Sequence, residues 1–77
     1  MNIIRQIDVF DNETDELVEE LKLESFDLEV FKKRFELLDY DPMMYAPYRI
    51  TSETSDLFPQ IKFDFNKYTY DLTSWQA

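Results

Sequence analysis

The sequence predicts an α+β fold: a small, mostly antiparallel sheet of about four strands packed on one main helix, in the order β-β-α-β-(short α)-β. Three observations predict it. Apolar and polar residues alternate near both ends of the chain, in IIRQIDVF (residues 3–10) and IKFDFNKYTYDL (residues 61–72), which is the period of a strand with one buried face. Between them, SFDLEVFKKRFELL (residues 25–38) spaces its apolar residues three and four apart, the period of a helix. The chain has 77 residues, the size of a single domain spanning 1–77, and no Cys, so its core must come from apolar side chains. At 44% hydrophobic and 17% aromatic the supply is sufficient, which argues against disorder despite the charge.

The elements follow in chain order. Ile3, Ile7 and Val9 share one parity of the first strand, with Arg5 the exception, and Gln6 and Asp8 fall on the other. DNET (residues 11–14) is a turn made without glycine. Residues 15–23, DELVEELKL, fit two patterns: Leu17, Leu21 and Leu23 alternate as in a strand, whereas Leu17, Val18 and Leu21 fit a helical stripe of good helix formers. A strand is preferred because it completes a hairpin with residues 3–10. The main helix opens with Asp27 as N-cap, flanked by Phe26 and Phe31 at the two positions of a hydrophobic staple. Leu28, Phe31, Phe35 and Leu38 form its expected buried stripe. Lys32, Lys33 and Arg34 fall late, where cations suit the negative helix end, and are expected to be solvated.

DYDPMMYAPY (residues 39–48) is a loop around two prolines, and Tyr48–Thr51 a short strand. A helical turn is expected over Ser52–Phe58, capped by Thr51 or Ser52 with Glu53 in its first turn. In the tail the apolar phase flips at Asn66-Lys67. One long strand with a β-bulge there is preferred over a tight two-residue turn.

Composition excludes several chemistries. There is no Gly, so phosphate-cradling glycine loops are absent, and no His, the commonest general base and metal ligand. Asp11, Glu13 and Asp15 occupy positions 1, 3 and 5 of a calcium-loop count, but Glu16 stands where Gly is required and Lys22 where Glu is required. Asp39 and Asp41 are the nearest approach to a catalytic acid pair and read as loop chemistry. No catalytic residue, metal ligand or cofactor is therefore expected. MNIIRQIDVF is too short and too polar for a signal peptide, and no segment reaches the ~20 apolar residues of a membrane helix. A cytoplasmic location and no membrane partner are the expectation. The aromatic set Phe63, Phe65, Tyr68 and Tyr70 reads as core rather than a base-stacking platform, because direct nucleic-acid binding needs basic residues.

Charge carries the functional reading. Net charge is −9, and the segment from Asp8 to Glu29 holds ten acids and one base, while the rest holds seven of each. Within it, Asp11, Glu13, Asp15, Glu16, Glu19 and Glu20 crowd into ten residues without a Lys or Arg. One reading is a solvated edge that blocks edge-to-edge pairing. The other is a surface kept for a cationic partner, since complementary charge speeds association.

The chain resembles the small acidic immunity proteins that neutralise bacterial nuclease toxins of the contact-dependent inhibition and colicin type. VFDNETDELVEELKL, FDLEVF and FDFNKYTYDL also look like a family of small uncharacterised bacterial proteins. The first resemblance implies a non-enzymatic inhibitor that binds a basic partner, a nuclease toxin domain, and covers its active site or an adjacent exosite. Asp11, Glu13, Asp15, Glu16, Glu19 and Glu20 would supply steering and charge pairs, and Tyr45, Tyr48 or Trp75 the buried anchors. The alternatives are a phage-type nucleic-acid mimic blocking a defence nuclease, and a homodimeric interaction module with no charge-directed partner.

Overall fold

A computed structural model describes residues 3–76. Strand β1 (Ile3–Asp11) turns through residues 12–16 into β2 (Leu17–Lys22), so the ambiguous segment is a strand. Pairing with β1 outweighs its local helix propensity. Helix α1 (Leu28–Arg34), β3 (Tyr48–Ile50), a 3-10 turn (Ser55–Leu57) and β4 (Tyr68–Gln76) follow. The sheet is antiparallel throughout, in the order β2-β1-β4-β3. The α+β architecture with four strands and one main helix is the one the sequence predicts.

Register places the core. Ile7 lies opposite Leu72 and Val9 opposite Tyr70, while Tyr48 and Ile50 of β3 complete the same face. That face packs on Phe31, Phe35, Met44 and Phe58. Phe58, Ile7, Met44 and Ile50 are the most deeply buried; each such side chain contributes about 1.5–3 kcal/mol by leaving water. The helix start is as expected. Asp27 Oδ1 accepts from the N–H of Glu29 (3.1 Å) and Val30 (3.4 Å), and the Phe26 and Phe31 rings meet edge-on at 4.7 Å.

Four expectations are corrected. The helix stops at Arg34 rather than running to Leu38. Phe35 turns extended (φ −95°, ψ 145°), which brings its buried ring edge-on to Tyr48 at 6.2 Å and leaves Leu38 exposed. Arg34 is not simply solvated: it grips Asp56 with two hydrogen bonds (2.9 and 2.7 Å) and donates to the Glu53 carbonyl. The short helical element is a 3-10 turn over Ser55–Leu57 alone, although Thr51 Oγ1 does accept from the Glu53 N–H upstream of it. Finally, residues 61–67 do not belong to a bulged strand. Asp64 ends the irregular segment: its side chain accepts from the N–H of Asn66 and Lys67, and its carbonyl from Lys67 and Tyr68, so β4 begins only at Tyr68. The Phe63 ring still packs edge-on against Tyr70 (4.7 Å).

The loop before β3 is organised by one buried carboxylate. Asp41 accepts from the N–H of Tyr45 (2.8 Å) and Ala46 (2.9 Å) and from the Tyr48 hydroxyl (2.7 Å). Burial pushes its pKa up, but the Ala46 N–H, the Tyr48 hydroxyl, the Tyr45 N–H and the nearby Arg5 guanidinium together hold it below the ordinary 3.8. Burial, reinforced by the hydrogen bond to Asp41, raises Tyr48 above its ordinary value. A depressed folded-state pKa means that the carboxylate's stabilisation is complete above the unfolded value of 3.8 and is lost as pH falls through the lower folded value. Asp41→Asn should therefore cost about 1–3 kcal/mol at neutral pH, and the penalty should shrink as pH falls below 3.8. Urea unfolding across a pH series measures both; a penalty independent of pH would contradict the assignment.

Candidate functional site

The six clustered carboxylates do not form one face. Asp11 ends β1, and its Oδ1 accepts from the N–H of Glu13 (2.8 Å) and Thr14 (3.3 Å), so that side chain builds the turn. Glu13, Asp15 and Glu16 are exposed in the turn itself, with Asp15 in the left-handed region at φ 61°. Asp tolerates that conformation better than most non-glycine residues. On β2 the two glutamates diverge. Glu19 pairs with Val9 and points to the helix side, whereas Glu20 pairs with Asp8 and points to the other. What unites them is the outer edge of the sheet: β2 is exposed along almost its whole length.

Asn12 holds this hairpin to the turn before β4. Its side-chain amide donates to the carbonyls of Phe65 and Asn66 (3.2 and 3.3 Å), and its oxygen accepts from the Thr69 hydroxyl. The tip is thus fixed relative to the sheet rather than left as a free arm.

The face of the sheet turned away from α1 carries residues that the linear sequence does not bring together. Asp8 lies opposite both Glu20 and Asp71, and Asp71 lies opposite Arg49, so one row crosses all four strands as Glu20, Asp8, Asp71 and Arg49. Arg49 Nε donates to Asp71 at 2.6 Å. Gln6 bridges the other two acids, its amide donating to Asp8 and Glu20 at 2.7 Å each. Its oxygen accepts from the Trp75 indole N–H at 2.7 Å, and Gln6 itself is buried. The indole is thereby held in one orientation while Trp75 remains 44% exposed. Gln6, Asp8, Asp71 and Arg49 are not among the candidate residues that the sequence marks. The parity of β1 separates Gln6 and Asp8 from the core positions, but nothing local reveals that Asp71 comes beside them.

The proposed anchors separate. Trp75 and Tyr45 come together around a cleft of about 450 Å³, also lined by Ile3, Ser74 and Gln76. Tyr45 is half-exposed, and the Arg5 guanidinium packs between the Phe26 and Tyr45 rings (4.2 and 5.4 Å). Tyr48 is a correction: it is only 7% exposed, its hydroxyl is committed to Asp41, and it is not free to anchor a partner. Among the described residues, no group of three or more His, Cys, Asp or Glu is placed to hold a metal ion, and no helix is long and apolar enough to cross a membrane.

Comparison with known families decides one point. A family model covers residues 4–73, from the first strand to most of the last. The chain belongs to the DUF7683 family, described as a domain of unknown function. No curated protein and no solved structure matches it.

Like charges opposite each other across strands oppose folding. Asp8→Asn keeps an acceptor for Gln6 and removes the central charge of the row. It should raise stability by about 0.2–1 kcal/mol at low salt, with the gain fading as salt is added. Thermal unfolding at two ionic strengths measures this; an unchanged or lower midpoint would mean that the row is not strained by its charge.

Proposed function

We propose that the protein is a non-enzymatic acidic inhibitor that binds a basic partner protein, with the nuclease domain of a bacterial toxin as the partner that its resemblance to immunity proteins implies. The observation that carries this reading is the β1–β2 hairpin: residues 11–20 hold six carboxylates and no base, and all but Asp11 are exposed. An edge strand needs only a few charges to stay unpaired. Here the charge continues through the turn and onto both sides of β2, and the sheet behind it is rigidly paired. Such a surface attracts a cationic groove over about a Debye length, ~10 Å at 0.1 M salt, and brings it in at a raised rate. Nuclease domains present such grooves because their substrate is a polyanion. Trp75 and Tyr45 add exposed aromatic surface of the kind that supplies binding energy at interface centres.

The test is affinity capture from the native host at low and raised salt, with the wild type beside a Glu16→Lys, Glu19→Lys, Glu20→Lys variant. The expected result is one basic nuclease, recovered by the wild type, inhibited by it, and bound by the variant with an association rate lower by about tenfold or more. Recovery of the protein's own copies alone, or of a partner indifferent to the three reversals, would refute the reading.

A further inference from the structure

Among the described residues, none hydrogen-bonds to the backbone groups on the outer edge of β2, and the register fixes the direction of those groups. Leu23 faces Arg5, one position beyond the Lys22–Gln6 pair, and its N–H donates to the Arg5 carbonyl at 2.9 Å. In an antiparallel ladder, hydrogen-bonded and non-hydrogen-bonded pairs alternate. Leu21 and Glu19 therefore turn their N–H and C=O toward β1, while Lys22 and Glu20 turn theirs away from the sheet. The regular edge ends at Val18, where the register shifts between Val9 and Phe10. Glu20 and Lys22 both lie exposed, so the edge is open.

Two features say what fits there. On the helix side, beside the edge, lies a groove of about 310 Å³ lined by apolar side chains of Val9, Val18, Leu21 and Ile61 and by the Tyr70 ring, with one acid, Glu19, and one base, Lys62, at its rim. On the other side Glu20 heads the acidic row. A strand laid along β2 would turn alternate side chains into the apolar groove and toward Glu20. Residues 15–24 hold five acids and one Lys, so the edge as a whole favours a cationic strand. A second copy of this chain fits less well, because each copy carries a net charge of −9 and the two would repel at low salt.

We propose that the partner adds an extended segment of alternating basic and apolar residues to the free edge of β2, hydrogen-bonding to the backbone of Glu20 and Lys22. Main-chain bonds supply the attachment, the groove takes the apolar side chains, and the net acidic edge of residues 15–24 with Glu20 selects the basic ones. This rests on the charge-directed reading above and names its mode of contact.

The test uses the full chain and a short synthetic peptide alternating Lys and Val, with a Glu–Val peptide as control, at low salt. Binding is followed by fluorescence anisotropy and by residue-resolved amide exchange. Three substitutions separate charge from strand addition. Lys22→Gln removes a base and keeps the outward N–H. Lys22→Pro removes the same base and the N–H as well, and proline is tolerated where an edge N–H faces solvent. Glu20→Pro probes the second outward group, and circular dichroism checks the fold of each. The expected result is that the Lys–Val peptide slows exchange at Glu20 and Lys22 by about tenfold or more, that Lys22→Gln tightens binding, and that Lys22→Pro abolishes it. Equal binding by folded Lys22→Pro and Lys22→Gln, or protection confined to amides away from β2, overturns strand addition and leaves the charge-directed reading standing. Equal binding of the Glu–Val peptide, or no binding of the Lys–Val peptide, overturns both.

Discussion

Everything in this domain hangs on the pairing of its first strand with its last. β1 and β4 run antiparallel through nine matched positions, from Ile3 opposite Gln76 to Asp11 opposite Tyr68. This pairing makes β1 central and gives β2 and β3 their places outside it. It sets Ile7 on Leu72 and Val9 on Tyr70, the floor on which the helix aromatics rest. On the other face it sets Asp8 beside Asp71 and Gln6 beside Thr73, within reach of Trp75. Such contacts span nearly the whole chain and carry a large loop-closure cost. The short helix does not provide the framework; it covers one already made.

A chain without glycine must bend by other means, and here Asp does much of that work. Asp11, Asp27, Asp41 and Asp64 each accept backbone N–H groups, at the hairpin, the helix start, the buried loop and the entry to β4. Among the described residues, the left-handed positions fall to Asp15 and to buried Met44. Met44 is an unfavourable occupant, and the segment around it is held from both sides. Arg5 donates to the carbonyls of Met43 and Met44, while Asp41 accepts from Tyr45 and Ala46. Some of the acidity is thus architecture. The carboxylates that the proposed partner would meet are Glu13, Asp15, Glu16, Glu19 and Glu20 at the hairpin, whereas Asp8 and Asp71 are already held by Gln6 and Arg49.

The fold was legible where local pattern and long-range pairing agree. Alternation in residues 3–10 marked a strand, and Asp27 with Phe26 and Phe31 marked a helix start. The helix end was not legible, because Phe35 leaves helical geometry to reach Tyr48, a contact set by β3. The tail misled because Phe63 packs against Tyr70 from an irregular segment, producing strand-like alternation without a strand. Of the candidate site, the charge and its concentration were readable. Its division between two sides of β2, the burial of Tyr48 and the row through Asp8 and Asp71 were not. Each depends on which strand lies beside which, and residue spacing holds no record of that.

The β1–β4 pairing has a mechanical side. Ile3 and Gln76 sit opposite each other at the same end of the two strands, so a pull that separates these residues loads the ladder from that end. Antiparallel bonds lie across the strands, and they would break in succession, as a zipper opens, instead of resisting together in shear. The domain would yield to low force at these points however well its core is packed. A load applied between Asp11 and Gln76, at opposite ends of the same pair of strands, would meet the whole ladder at once.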